Sequence, residues 1–295
     1  MDKPRKDNRG FVIPKIIIFS LKILDFISPY LCMRFAGYLW TKPLKYKIPK
    51  REIPIIKSSK ISTVKIKEIG KEIKLYRWKG KGPKILLVHG WSGRATSMYF
   101  IIQKLIENNY DVYSFDAPAH GNSPTSTSNI PEFIACIKEL SSSIKSFKGI
   151  IGHSGGAFAS IYYTSIYKNK LKKLVLISPF NSVYELFHGF FKQINVSKKV
   201  GDLMINYYSK KTGIMIDEDL SVHKFARPLK SETLIIHDEN DKEISIENSK
   251  LIKSNIKNIQ AYFTKGLGHR RILRNESVTK KILDFLKEEL PLQIL

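Results

Sequence analysis

The chain has 295 residues, enough for one large domain or two small ones with a well-buried core. Hydrophobic residues at 43% and charged residues at 26% are ordinary globular proportions; they exclude a disordered chain, a collagen-like fibre and a protein of many membrane spans. The charge is unusual, since 50 Lys and Arg against 26 Asp and Glu give +24, which suits an anionic partner such as nucleic acid or a membrane surface. A compositional reading competes with that one: 40 of the 50 basic residues are Lys and Ile is over-used too, the pattern of AT-rich coding.

Residues 1–60 differ from the rest of the chain. A charged opening, Met1 to Gly10, leads into an apolar stretch from Phe11 to Trp40. The layout imitates a secretory signal, but Lys15, Lys22, Asp25 and Arg34 interrupt the run, Pro14 and Pro29 break it, and no small-x-small cleavage site succeeds it. The run Ile16 to Leu21 is far shorter than the roughly 20 apolar residues that span a bilayer. On a helix beginning at Lys15, the side chains of Lys15, Lys22 and Asp25 share one side, while Ile16, Ile17, Ile23, Leu24 and Ile27 cover most of the other. Such a helix docks on its own domain, on a partner or on lipid. Residues 1–60 carry 14 basic and 4 acidic side chains, against 36 and 22 in residues 61–295, a charge density nearly three times higher. A uniform codon bias does not predict that asymmetry. The expectation is a basic arm over 1–60 that meets an anionic membrane peripherally through residues 1–40. Nucleic acid is not an expected partner, and the expected location is cytoplasmic, peripheral at the membrane.

From Ile61 the pattern changes. Ile61 to Lys67 and Glu72 to Trp78 alternate around Gly70 and predict an antiparallel hairpin. Lys84 to Val88 is a short continuous apolar run, as in a buried parallel strand. Thr96 to Asn108 has helical spacing, Tyr110 to Phe115 is a strand, Pro131 to Phe147 a helix and Gly149 to Ile151 a strand. Next come a helix over Ala157 to Tyr167 and strands over Leu171 to Ser178, Thr233 to His237 and Gln260 to Thr264. Helices at Glu247 to Ser254 and Val278 to Leu286 complete the series. Strands alternating with helices predict an α/β domain over 61–295, with a mostly parallel sheet covered on both faces. One aromatic-rich segment, about 181–228, breaks the rhythm and reads as a small helical lid insertion.

The sharpest chemical signal is Gly152-His153-Ser154-Gly155-Gly156, a G-x-S-x-G motif between a strand and a helix. A tight strand-to-helix turn strains its central residue and crowds its neighbours, hence the glycines. It also holds the Ser154 hydroxyl at a helix N-terminus, where free N–H groups favour a developing oxyanion. After Lys84 to Val88 comes His89-Gly90-Trp91-Ser92-Gly93, whose Trp91 N–H is placed to be a second oxyanion donor beside that of Gly155. Such donors are each worth about 3 kcal/mol of barrier. His89 reads as a loop-stabilising residue. A serine needs a base, and the base an orienting carboxylate. Gly266-Leu267-Gly268-His269 comes after a strand, and so does Asp238-Glu239-Asn240-Asp241; strand C-terminal ends are where α/β sites form. Of the seven histidines, His269 alone has this position; His153 and His120 read as structural, and His188, His223 and His237 receive no catalytic role. The two cysteines, Cys32 and Cys136, have no metal or disulfide spacing, which suits a reducing compartment. No HExxH-like pair or P-loop occurs, so no metal or cofactor is expected.

The stretches HGWSG, DAPAHGNS and GHSGG and the pair HDEND and GLGH, in this order over about residues 61–286, resemble the α/β-hydrolase superfamily. The resemblance implies the α/β-hydrolase fold, Ser154 as nucleophile, His269 as general base and then acid, and an acid just after the seventh strand. In the family's H-G-x-x-D pattern Asp238 replaces the glycine and Asp241 falls on the acid position, with Asp238 the weaker candidate. A serine nucleophile argues against the epoxide hydrolase and haloalkane dehalogenase branches, and the turn is similar to those of lipases, esterases and thioesterases. Ala157 departs from the glycine many relatives carry. The implied function is hydrolysis of a carboxylic ester or thioester with a small-molecule acyl substrate. An acyltransferase or aminopeptidase using the same triad, and a non-catalytic membrane-surface binder on the same scaffold, are the alternatives. Oligomeric state stays open.

Overall fold

The computed structural model describes residues 13–144, 147–167, 171–217 and 220–287; the charged opening of the chain lies outside them. In chain order the elements begin with helices α1 (Lys15–Ile27), α2 (Pro29–Thr41) and α3 (Ile53–Lys57). The hairpin β1 (Lys60–Ile66) and β2 (Lys71–Trp78) is next, then β3 (Lys84–Val88), α4 (Tyr99–Glu107), β4 (Asp111–Asp116), α5 (Ile130–Ile144), β5 (Phe147–His153), α6 (Gly155–Ile166) and β6 (Lys173–Ile177). Helices α7 (Val183–Ile194), α8 (Lys198–Thr212) and α9 (Val222–Phe225) precede β7 (Glu232–Asp238), α10 (Glu247–Asn255), β8 (Ile259–Thr264), α11 (Gly268–Arg271) and α12 (Glu276–Lys287).

Among the described residues the strands form one sheet in the order β1-β2-β4-β3-β5-β6-β7-β8. The pairs β1–β2 and β2–β4 are antiparallel, and every pair from β4 to β8 is parallel. The apolar runs explain the burial. Ile85 and Leu87 of β3 join Ile151, Val175, Ile177, Leu234 and Ile236 in a core closed by α4 and α12. The alternate residues Leu86, Ile150, Leu174, Leu176 and Ile235 are buried as well, and α5 and α6 pack together with α6 against β5 and β6. Edge strand β1 exposes Lys60 and Lys65, charges that discourage pairing with another chain. Two boundaries differ from the expected ones. Phe147, expected to end a helix, opens β5 because it pairs with Lys84 and sets its ring 5.5 Å from that of Tyr113. The helix expected from Thr96 begins as a 3₁₀ turn over Ala95–Met98, where the Arg94 N–H donates to Ser97 Oγ at 2.9 Å.

Packing divides the chain into two compact units. The larger comprises Thr41–Ser182 and Asp219–Leu295 and holds the whole sheet. Residues 41–60, expected in the arm, belong to it: the Trp78 indole N–H donates to the Ile55 carbonyl at 2.9 Å, and the Thr96 hydroxyl donates to the Glu52 carboxylate at 2.8 Å. So does α9, whose Val222 N–H donates to the Asn181 carbonyl at 2.8 Å.

The smaller unit comprises the described parts of Met1–Trp40 and Val183–Glu218, so residues 13–40 and most of the expected lid segment share one core. The Trp40 ring lies 4.5 Å from Phe187 and 5.0 Å from Phe190. The Asp25 carboxylate accepts the Ser197 N–H at 2.7 Å and its hydroxyl at 2.8 Å, just where Ser197 caps α8. The Tyr208 hydroxyl donates to the Gly37 carbonyl at 3.0 Å.

Candidate active site

Strand β5 ends at His153 and α6 begins at Gly155, so Ser154 alone makes the turn. Its φ of 52° and ψ of −117° lie where L-residues are strained. The surrounding backbone holds it there. The Ser154 N–H donates to the Ile177 carbonyl of β6 at 2.9 Å, and the Ser154 carbonyl accepts the Ala157 and Phe158 N–H groups at 2.9 and 3.1 Å. The flanking glycines are required by close approach: a β-carbon on Gly152 would lie 2.6 Å from Ala157 Cα, and one on Gly156 only 2.3 Å from the Val88 carbonyl oxygen. Ala157 itself is fully buried without such a clash, so the departure from the family glycine is accommodated.

The loop after β3 comes up beside this turn. A β-carbon on Gly90 would lie 3.1 Å from Ser154 Cβ, and one on Gly155 3.6 Å from the Trp91 nitrogen. Neither the Trp91 nor the Gly155 N–H has an acceptor among the described residues, so two free donors stand next to the serine. His89 fixes the loop. Its Nδ1–H donates to the Gly90 carbonyl at 2.7 Å, and its Nε2 accepts the Ala117 N–H at 3.0 Å, beyond the end of β4. The bond that Nε2 accepts requires the neutral ring, and burial pushes the His89 pKa down to about 4. The unfolded chain takes up this proton near pH 6.5, so the unfolded state binds more protons below that value and stability falls as pH drops from 6.5 toward 4. His89 alone contributes on the order of 3 kcal/mol of that loss; buried His120, lowered to about 3, adds in the same direction. Denaturant midpoints at pH 7 and pH 4.5 measure it, with a shallower slope in His89→Gln.

His269 stands in the first turn of α11, reached from β8 through Gly266 and Gly268, both with positive φ. The His269 Nδ1–H donates to Asp241 Oδ2 at 2.7 Å, and both side chains are buried. Asp241 Oδ1 accepts the N–H groups of Glu243 and Ile244 at 2.9 and 3.0 Å. Burial opposes the Asp241 charge, but hydrogen bonds from His237, His269 and the Ile244 backbone outweigh it and hold the carboxyl far below its usual range. Asp238 has a different job. Its Oδ2 accepts the Thr264 hydroxyl at 2.8 Å and the Leu267 N–H at 2.9 Å, and its Oδ1 accepts the Asn240 N–H at 3.0 Å. It makes no bond to His269; it shapes the loop that carries it.

Two histidines do more than packing. The His153 Nε2–H donates to the His269 carbonyl at 3.0 Å, with ring centroids 4.7 Å apart, and so ties the serine turn to the histidine loop. His237, to which sequence pattern assigns no role, shares its Nε2–H between the Ile244 carbonyl at 3.0 Å and Asp241 Oδ2 at 3.3 Å, while its Nδ1 accepts the Ser249 hydroxyl at 2.6 Å. Its place at a strand end, four residues before Asp241, is the only signal of this in the sequence. Among the described residues, no group of three or more His, Cys, Asp or Glu side chains is placed to hold a metal ion. No helix among them is long and apolar enough to cross a membrane.

The model of the α/β-hydrolase fold family matches residues 83–210, which include Trp91, Ser154 and Gly155 but stop short of Asp241 and His269. A 1-acylglycerol-3-phosphate O-acyltransferase of Saccharomyces cerevisiae is 22% identical over 194 residues, 50% of this chain and 49% of that protein. The match thus spans about half the length of that relative. Among solved structures, an esterase from Pyrococcus furiosus superposes with a TM-score of 0.62 at 18% identity, covering 83% of this chain and 96% of its own. A membrane phospholipase A, described as a bacterial virulence factor, gives 0.61 at 13% identity over 92% of this chain and 95% of its own. At such identities the structural likeness establishes the fold. Its sheet order, its strained serine turn and these matches together show that the chain has the α/β-hydrolase fold.

Proposed function

We propose that the protein is a serine hydrolase that cleaves a carboxylic ester or thioester through an acyl-enzyme intermediate. The observation that carries the reading is the buried His269–Asp241 bond of 2.7 Å, tied through His153 to a strained serine with two free N–H groups beside it. The Ser154 hydroxyl makes no hydrogen bond among the described residues, and its bond to His269 forms with substrate in place. Ser154 Oγ attacks the carbonyl carbon while His269 Nε2 takes the hydroxyl proton. The Trp91 and Gly155 N–H groups receive the oxyanion. Asp241 holds the Nδ1–H tautomer and stabilises the imidazolium. His269 then gives the proton to the leaving oxygen or sulfur, and water activated by His269 releases the acid. The exposed Trp91 ring and Ile130, whose Cδ1 lies 3.2 Å from where a Gly155 β-carbon would be, favour an apolar acyl group.

An acyl-chain series of chromogenic esters, run beside a thioester and an aminoacyl amide, tests the class. Hydrolysis of esters or thioesters with a chain-length optimum supports it, and turnover of the amide alone overturns it. Acyl transfer is the second reading, favoured by the name of the yeast relative. In that case an alcohol acceptor replaces water at the acyl-enzyme, and product analysis with and without a glycerol-based acceptor separates the two.

A further inference from the structure

Helix α1 has two apolar sides, and the protein uses one. Leu21, fully buried, marks the inward side. Ile16, Phe19, Ile23, Phe26 and Ile27 are 70%, 60%, 45%, 93% and 68% exposed. At 100° per residue these five occupy an arc of only about 100° on the far side from Leu21. A single exposed Phe or Ile needs no explanation, but five on one stripe of one helix do. The stripe continues around the corner. Ser28 is extended (φ −156°, ψ 100°), and α2 turns back so that Cys32 Sγ reaches the Leu21 carbonyl at 3.4 Å. This leaves Phe26 and Ile27 at the bend with Tyr30, itself 55% exposed, in the first turn of α2.

The charges beside the stripe decide what covers it. Lys15 and Lys22 fall within about 40° of its edge on the helical projection, both exposed. Asp25, the one acid of α1, points away and is held by Ser197. A second copy laid against this stripe would bring lysine to lysine with no carboxylate to meet them. An anionic lipid surface accepts both parts: aliphatic and aromatic side chains enter the acyl–headgroup boundary, and the lysine ammonium groups snorkel to phosphates.

We propose that the exposed stripe of α1 and its bend at Phe26 and Ile27 is a peripheral docking surface for anionic membranes. The test is co-sedimentation of the full chain with phosphatidylglycerol–phosphatidylcholine vesicles and with pure phosphatidylcholine vesicles, at low and high salt. Binding is expected to the anionic vesicles and to weaken with salt. The double substitutions Phe26→Ser with Ile27→Ser, and Lys15→Glu with Lys22→Glu, are each expected to weaken it on the order of 10-fold or more. All four side chains are exposed, so unchanged thermal unfolding and unchanged hydrolysis of a water-soluble ester are expected in both variants. The proposal is independent of the chemistry at Ser154 and is read without it. Absence of vesicle binding, binding indifferent to both double substitutions, or a concentration-dependent dimer abolished by Phe26→Ser with Ile27→Ser overturns it.

Discussion

On the proposed mechanism, Ser154→Ala is expected to abolish ester hydrolysis, a fall of about 10⁶-fold in kcat, as for serine enzymes stripped of their nucleophile. The protein is expected to remain folded. The lost hydroxyl makes no hydrogen bond among the described residues, and the backbone bonds that hold the turn, from Ser154 N–H to Ile177 and from Ala157 and Phe158 to the Ser154 carbonyl, do not involve it. Thermal unfolding should therefore change little, within about 0.5 kcal/mol. Labelling by a fluorophosphonate is expected to vanish together with turnover. Retention of either would place the nucleophile elsewhere and end the acyl-enzyme reading.

Asp241→Asn is the second large effect, about 10⁴-fold in kcat. The asparagine oxygen can keep the N–H bonds of Glu243 and Ile244, but its amide presents N–H where His269 Nδ1–H now finds an acceptor at 2.7 Å. The imidazole must then change tautomer, and Nε2 can no longer act as the base that the proposed mechanism requires. The same geometry fixes the expectation for pH. Asp241 is held ionised far below the usual carboxylate range, so the acid limb of the rate profile belongs to another group and Asp241 stays charged through it. Asp238→Asn separates the two carboxylates. It weakens the bonds to Thr264, Leu267 and Asn240 and is expected to cost about 1–3 kcal/mol of stability, with a far smaller loss of kcat. Kinetics of the two variants, each beside its unfolding curve, make the comparison. A kcat loss in Asp238→Asn as large as that in Asp241→Asn would reassign the acid.

Much of the larger unit was legible in the chain. Continuous apolar runs such as Lys84–Val88 can be buried on both faces only in a covered parallel sheet, and β3 occupies those residues. The turn at Ser154 was legible because a strand-to-helix turn crowded on both sides leaves room only for glycine at 152 and 156. The histidines were less so. His89 and His153 each have a nitrogen committed to a residue distant in sequence, and nothing in local pattern reports such a bond; His237 bonds nearer by, and only its strand-end place hints at it. Of residues 13–60, only part was legible in the chain. Helix α1 begins at Lys15 as its periodicity requires, but Pro29 concealed α2, which opens with proline at its first position, where the missing N–H has no intrahelical acceptor to lose.

By itself the sequence determined the order and type of the strands and of most of the helices from Lys60 onward, outside residues 181–228, and the residues eligible for chemistry at strand ends, because periodicity and turn composition are local properties of the chain. It left open which carboxylate faces His269, since Asp238 and Asp241 lie three residues apart in one loop. Tertiary structure decided that, through a 2.7 Å bond to one and the Leu267 N–H on the other. It also decided that residues 13–40 share a core with residues 183–217, and which side of α1 meets that core. Periodicity shows that a helix has an apolar face, but only contacts between segments distant in sequence determine whether that face is covered.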